Sequence, residues 1–282
     1  MRRQPITSRR TPLSSAMAPI SRGSTFGDRG ALRGIDATLA QRLRLEDPIA
    51  ARALRLLLSP RSLRTGDEEW CLWLLEHSPE DIARSRFLSE RVDRVHRQRR
   101  NDVPPWLYSQ IRQPRHRYAA FSSILQPNGQ YLSFATYDPD IIVDGQVWKL
   151  DSQNAVVTEA MLMSRVFRVW VETVGTKNPN GAVKITRDSV YNTFPCPEIS
   201  RRQQTAIEDA FHDVLLARGQ VAMRSIDELY SRRELPRALQ IEHEKLDQAI
   251  GKVFGVKQSM SDAQIADILL DHYRVLTADD AA

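Results

Sequence analysis

The chain has 282 residues, 41% of them hydrophobic and 27% charged, with a formal net charge of +5. These proportions fit an ordinary globular protein of about two domains at roughly 100–200 residues each. They exclude a spanning helix, which needs ~20 apolar residues in a row, and two cysteines, Cys71 and Cys196, are too few for a disulfide framework.

Residues 1–20 are rich in Arg, Ser and Pro and lack periodicity, which predicts a disordered basic arm without the apolar segment of a secretory signal. Residues 21–59 read as a linker with helices. Gly23, Gly27, Gly30 and Gly34 form a loop, and Leu39, Leu43, Leu54 and Leu57 space a helix over 36–58, interrupted at Pro48. Trp70-Cys71-Leu72-Trp73-Leu74-Leu75 is an apolar run expected to be a buried strand. Ser78-Pro79-Glu80-Asp81 is a helix start, with Ser as cap and Pro in the first turn, and that helix runs toward Arg100 with room for a break.

Residues 118–125 and 131–137 predict two strands joined by a hairpin at Asn128-Gly129. Asp144-Gly145 is a second turn. Ala160, Met163, Val166, Phe167 and Trp170 share one side of a helix over 156–173. A polar loop follows from Gly175 to Gly181, then a strand over 183–191. From Ser200 the character changes. Ser200-Arg201-Arg202-Gln203 and Ser261-Asp262-Ala263-Gln264 have the capping-box pattern, and each precedes apolar residues at helical spacing. The expected fold is α+β, a mixed α/β region over 60–199 followed by an all-helical region over 200–282.

The charge is unevenly placed. Residues 1–33 hold seven Arg against Asp28, residues 84–117 hold ten Arg against three acids, and residues 201–282 hold eleven basic against fourteen acidic residues. Concentrated arginine in the first part suits phosphate contacts, and equally a solvated basic face. Chemistry is harder to find. No Gly-x-Gly occurs to seat a nucleotide-like cofactor. Val103-Pro104-Pro105-Trp106 has the outline of an amino-methyltransferase loop, but valine stands where a polar residue must hold the amine, so it reads as a turn. Pro139-Asp140 and Lys149 outline a metal nuclease, yet Val147 occupies the second carboxylate position. The six histidines show no ligand spacing, and the cysteines no zinc spacing. No catalytic, cofactor-binding or metal-binding residue is assigned, and whether the chain is part of an enzyme stays open.

Several stretches, in order, resemble the C-terminal third of MmeI-like enzymes, the Type IIG/IIL restriction-modification enzymes that fuse a nuclease, an N6-adenine DNA methyltransferase and a target recognition domain. They are residues 23–32 (Gly-Ser-Thr-Phe-Gly-Asp-Arg-Gly-Ala-Leu), Trp70-Cys71-Leu72-Trp73-Leu74, Ser78-Pro79-Glu80-Asp81 and Tyr137-Asp138-Pro139-Asp140-Ile141-Ile142. Val190-Tyr191-Asn192-Thr193-Phe194-Pro195-Cys196-Pro197 is similar to the family's Tyr-Asn-x-Phe-Pro-Trp-Pro, with Cys196 in place of tryptophan. Leu246-Asp247-Gln248-Ala249-Ile250 and Leu269-Leu270-Asp271-His272-Tyr273 are similar to its closing helices. The arginine-rich start resembles nothing in the family.

The resemblance implies a DNA-recognition module without catalytic segments. Its partner would be double-stranded DNA in the cytoplasm, and S-adenosylmethionine would sit only on a partner methyltransferase or nuclease polypeptide. Polar residues of 175–188 are the base-reading candidates: Lys177, Asn178, Asn180, Lys184, Arg187 and Asp188. Arg or Lys suits guanine, Asn adenine and Asp a cytosine amine; the alternative is a mobile polar hairpin. Arg112, Arg115, His116 and Arg117 are the phosphate candidates, or else a basic turn. Two other functions remain open: a subunit completing an adenine methyltransferase in trans, and an inert remnant.

Overall fold

A computed structural model describes residues 6–99, 103–127, 129–151, 155–222, 225–230 and 234–278. The expected disordered arm is not seen over residues 6–20, which lie on the protein. Met17 and Ile20 are buried. Thr7 N donates to the Tyr273 hydroxyl at 3.0 Å, Leu13 N to the Asn192 carbonyl at 2.7 Å and Ala18 N to Thr158 Oγ1 at 2.9 Å. The large apolar residues Ile6, Leu13, Met17 and Ile20 show no regular period, so composition alone suggested disorder. Residues 1–5 lie outside the described residues.

The chain then forms β1 (Ser21–Arg22), β2 (Ile35–Asp36), α1 (Ala37–Glu46), α2 (Pro48–Ala53), β3 (Leu54–Leu58), α3 (Pro60–Thr65) and β4 (Glu69–Leu72). Asp36 and Asp47 cap α1 and α2, their carboxylates accepting from Leu39 N at 2.7 Å and Ala50 N at 3.0 Å. The expected helix over 36–58 therefore ends at Ala53. Leu54–Leu58 is a strand between β4, antiparallel, and a later strand, parallel. A short leucine run in a central strand has no polar alternation and imitates a buried helix. β4 is the expected strand at Trp70.

Ser78 caps α4 (Pro79–Arg84) and Ser85 caps α5 (Arg86–Gln98), which is the anticipated break. β5 (Tyr118–Phe121), β6 (Ile124–Leu125), β7 (Phe134–Tyr137), β8 (Ile142–Val143) and β9 (Trp148–Asp151) follow. β5 and β7 pair antiparallel from Tyr118↔Tyr137 to Phe121↔Phe134. The connection is longer than the expected two-residue hairpin, because β6 departs to another sheet; Asn128 lies outside the described residues. Asp144-Gly145 is a turn, as expected.

The helix expected over 156–173 is two, α6 (Val156–Leu162) and α7 (Arg165–Val174). Ser164 breaks it: its hydroxyl donates to the Met161 carbonyl at 2.7 Å and accepts from Phe167 N at 3.1 Å, starting the second helix. β10 (Thr176–Lys177) and β11 (Val183–Lys184) form a hairpin. The strand expected over 183–191 stops at Lys184, and residues Arg187–Tyr191 form one wide π turn, closed by Tyr191 N to Thr186 O at 3.0 Å and Asn192 N to Arg187 O at 2.8 Å.

Both capping boxes form, opening α8 (Arg201–Gly219) and α11 (Asp262–Ala278), with α9 (Ile226–Tyr230) and α10 (Arg237–Phe254) between. Among the described residues no strand follows Ser200. Three sheets result, ordered β1-β9-β5-β7, β10-β11-β6 and β2-β4-β3-β8. The mixed region and the helical tail share one core, in which Phe121, Phe134, Trp170 and Phe194 meet Phe211, Leu246, Phe254 and Tyr273.

Candidate nucleic-acid interface

The base-reading candidates gather on one short antiparallel hairpin and the turn after it. Lys177 pairs with Val183 in register, and Lys184 lies across from Ile124 of β6. Both lysines are exposed. Asn178 and Asn180 shape the tip: Asn178 N donates to the Ala182 carbonyl at 2.8 Å, and Asn180 Oδ1 accepts from Ala182 N at 3.2 Å. Gly181 sits there at φ 85°, where a side chain would be strained. The hairpin tip is thus closed by its own hydrogen bonds.

Arg187 and Asp188 project from the π turn, and Arg187 Nε donates to Asp188 Oδ1 at 2.7 Å. That bond comes first in raising the Arg187 pKa. Both side chains are exposed, so the pair contributes under about 1 kcal/mol, and a base edge can displace it. The turn itself is well held. Trp170 Nε1 donates to the Val190 carbonyl at 2.9 Å, and buried Asn192 donates to the Arg9 carbonyl at 2.9 Å. The Tyr-Asn-x-Phe-Pro stretch thus acts structurally. Tyr191 and Asn192 fasten residues 9–18, and Phe194 fills the shared core against Phe167 at 5.2 Å and Phe254 at 5.5 Å.

Arg112, Arg115, His116 and Arg117 lie exposed on the segment entering β5. Arg117 faces Asp138 at 3.2 Å with both groups in solvent. Arg115, His116 and Arg117 form one wall of an open groove of about 890 Å³ whose other wall is Glu208, Phe211, His212 and Leu215 of α8. Arg117 and Ile124 are seven residues apart in sequence, so their Cα atoms are at most about 25 Å apart, and Lys184 lies one strand spacing beyond Ile124.

Two cationic side chains that no motif singles out as DNA contacts lie on β1 and β9, neighbouring strands of the four-stranded sheet. Arg22 of β1 stacks its guanidinium 3.5 Å from the centre of the Trp148 ring, and the Trp148 indole donates to the Ile185 carbonyl at 2.9 Å. Burial lowers the Arg22 pKa, against the field of Asp144. Lys149, next along β9, points to the opposite face and donates to Ser21 Oγ at 3.1 Å. Only spatial pairing of β1 with β9, 126–128 residues away, brings these groups together.

Two other arginines of 84–117, Arg99 and Arg91, are structural. Arg99 donates to the carbonyls of Pro104, Leu107 and Phe26 at 2.7, 2.6 and 2.8 Å, holding the Val103-Pro104-Pro105-Trp106 stretch as the turn it was expected to be. Arg91 caps the carbonyls of Ala31 and Arg33. Burial pushes both cysteine thiols up to about 12, so neither is poised for reaction. No group of His, Cys, Asp and Glu suited to a metal occurs among the described residues.

The glycine loop does not fit a nucleotide-like cofactor. It runs from strand to strand, and its N–H groups close on its own buried carboxylate: Asp28 accepts from Gly30 N at 3.1 Å and Leu32 N at 2.6 Å. No helix start of the described residues is left glycine-lined for a phosphate. No described helix is long and apolar enough to cross a membrane.

Comparison with known families matches residues 1–198 to the MmeI target recognition domain and residues 199–280 to the MmeI C-terminal domain. The chain belongs to the MmeI family. The first match includes the arginine-rich start that resembled nothing. DNA methyltransferase A of Bacillus subtilis (strain 168) is 27% identical over 221 residues, 75% of this chain and 25% of that protein. The solved Type IIL restriction-modification enzyme MmeI, determined in complex with DNA, has the same fold: TM-score 0.89, 23% identity, 98% of this chain and 37% of that one. The chain thus spans a quarter of the first and somewhat over a third of the second of these proteins.

Proposed function

We propose that this MmeI-family chain recognises a specific sequence of double-stranded DNA. The β10–β11 hairpin and the π turn read base edges through Lys177, Asn178, Asn180, Lys184, Arg187 and Asp188. Arg112, Arg115, His116 and Arg117 hold phosphates. The observation that carries this is the pairing of Lys184 with Ile124, which joins the polar hairpin to β6, seven residues after Arg117 of the basic segment. Phosphate contacts set register without reading sequence, while side chains in the major groove discriminate base pairs.

Methyl transfer or cleavage would then belong to a methyltransferase or nuclease polypeptide acting with this chain, in the cytoplasm, and S-adenosylmethionine would bind there. The glycine loop closed on Asp28 supports that division. The test is selection from random duplexes at low salt. An enriched sequence, bound at least tenfold more tightly than scrambled duplex, supports the reading; uniform weak binding or none contradicts it. Tritium transfer from S-adenosylmethionine by the chain alone would contradict the second part.

A further inference from the structure

The sequence outlines Lys149 as a nuclease lysine, and the structure gives it different company. It is half-buried on the face of β9 that Ser21 shares, and its ammonium uses one donor on Ser21 Oγ. Burial, then the charge of Arg112, lowers its pKa, while Asp151 two residues along acts in the opposite direction. Arg112 is pinned nearby, its backbone N–H donating to Ser24 Oγ at 3.0 Å. Its guanidinium is exposed and takes no hydrogen bond or ion pair among the described residues. Asp144, on the turn leading into β9, is committed to Arg33 at 3.0 Å and to Gln146 N at 2.8 Å.

Lys149 and the Arg112 backbone thus meet Ser21 and Ser24 of one short segment, with the charge of Asp151 acting on Lys149 in the opposite sense to Arg112. We propose that Lys149, Arg112 and the Ser21 hydroxyl form a binding site for one phosphate group, separate from the Arg115–Arg117 segment. Lys149 keeps two further N–H donors, the guanidinium offers a planar fork, and Ser21, accepting from Lys149, directs its own proton outward. A tetrahedral oxyanion accepts from all three and removes the repulsion between the cations. A DNA-backbone phosphodiester is the expected source, which rests on the DNA-recognition reading; the site does not, since free phosphate presents the same oxygens.

The experiment is carbon-detected NMR titration of the lysine side chains. The chain has six lysines, and a Lys149→Arg variant assigns the resonance by its loss. Lys149 is expected to titrate below the ordinary lysine value in the free protein. It should move upward on adding inorganic phosphate, and again on adding a short duplex, because an anion favours the charged amine. Ser21→Ala, which changes no charge, should reduce the upward shift, and Arg112→Gln should raise the Lys149 value in the free protein. Arg112→Gln should also flatten the plot of log affinity for duplex against log salt by about one unit. A response to phosphate but not to duplex supports the site and assigns it to a free anion. A Lys149 value that neither anion moves overturns the proposal, and if duplex is bound at the same time the DNA-recognition reading stands without it.

Discussion

The indole N–H of Trp148 donates to the carbonyl of Ile185 at 2.9 Å, joining β9 of the four-stranded sheet to the residue after β11. Ile185 N in turn donates to the Ser123 carbonyl at 2.8 Å. The segment between the hairpin and the π turn is therefore held from two sides, with Arg22 stacked on the indole. A reading element needs this, because a base contact discriminates only if the side chain cannot shift to suit the wrong base.

Trp148→Phe keeps an aromatic face for Arg22 and removes the donor to Ile185. A buried carbonyl left without its partner costs about 1–3 kcal/mol. Urea unfolding should show a loss of that size. Preference for the selected site over random duplex should fall several-fold while the salt dependence stays as it was. An unaltered preference would mean that the β11 segment keeps its geometry without this bond.

Asn192→Ala should release the arm. Its amide holds the Arg9 carbonyl at 2.9 Å, and its own carbonyl accepts Leu13 N at 2.7 Å. Only the side-chain bond is lost, so the expected cost is again about 1–3 kcal/mol. Trypsin should then cut after Arg9 and Arg10 faster than after Arg201 and Arg202. Equal protection of the arm in both proteins would contradict the role given to Asn192.

Much of the helical tail was legible because its signals are local: Ser200 with Gln203 and Ser261 with Gln264 are three residues apart. The misread places depend on distant partners. Leu54–Leu58 is a strand because β4 and β8 flank it. Ser164 breaks a continuous apolar face by bonding backward to Met161 and forward to Phe167, which spacing of hydrophobic residues does not register. The candidate residues were legible as types, polar and basic among turns. The proximity of Arg22 to Lys149 was not, since it exists only through the pairing of β1 with β9.

Acid should weaken the fold through His243. Its ring is fully buried, stacked 4.0 Å from Tyr131, with Nε2 2.9 Å from the Tyr230 hydroxyl. Burial, then the charge of Arg218, lowers its pKa to about 3. The unfolded chain takes up this proton near pH ~6.5, so between those values the unfolded state binds more protons. Stability is full above about pH 6.5 and falls as pH drops toward 3, by on the order of a few kcal/mol. Asp247 acts in the opposite sense: burial, against its bonds from Arg165 N and Tyr131, pushes it up to about 6. Its contribution declines as pH rises from about 4 to 6. His243→Phe should flatten the dependence of unfolding free energy on pH between about 6.5 and 4 by up to one proton. An unchanged slope would show that His243 titrates normally.

The central claim is a division of labour between two sets of side chains on one duplex. The direct measurement is affinity against salt, for the selected site and for random duplex, with the two sets altered separately. Neutralising Arg115 and Arg117 should weaken both duplexes alike and flatten the salt slope by about two units, one per lost phosphate contact. Changing Lys184 and Arg187 to alanine should leave binding to random duplex within about twofold and cut the preference for the selected site by about 1–3 kcal/mol per lost bidentate contact. If both sets lower affinity equally on both duplexes, the hairpin and π turn serve only as positive charge and do not read the sequence.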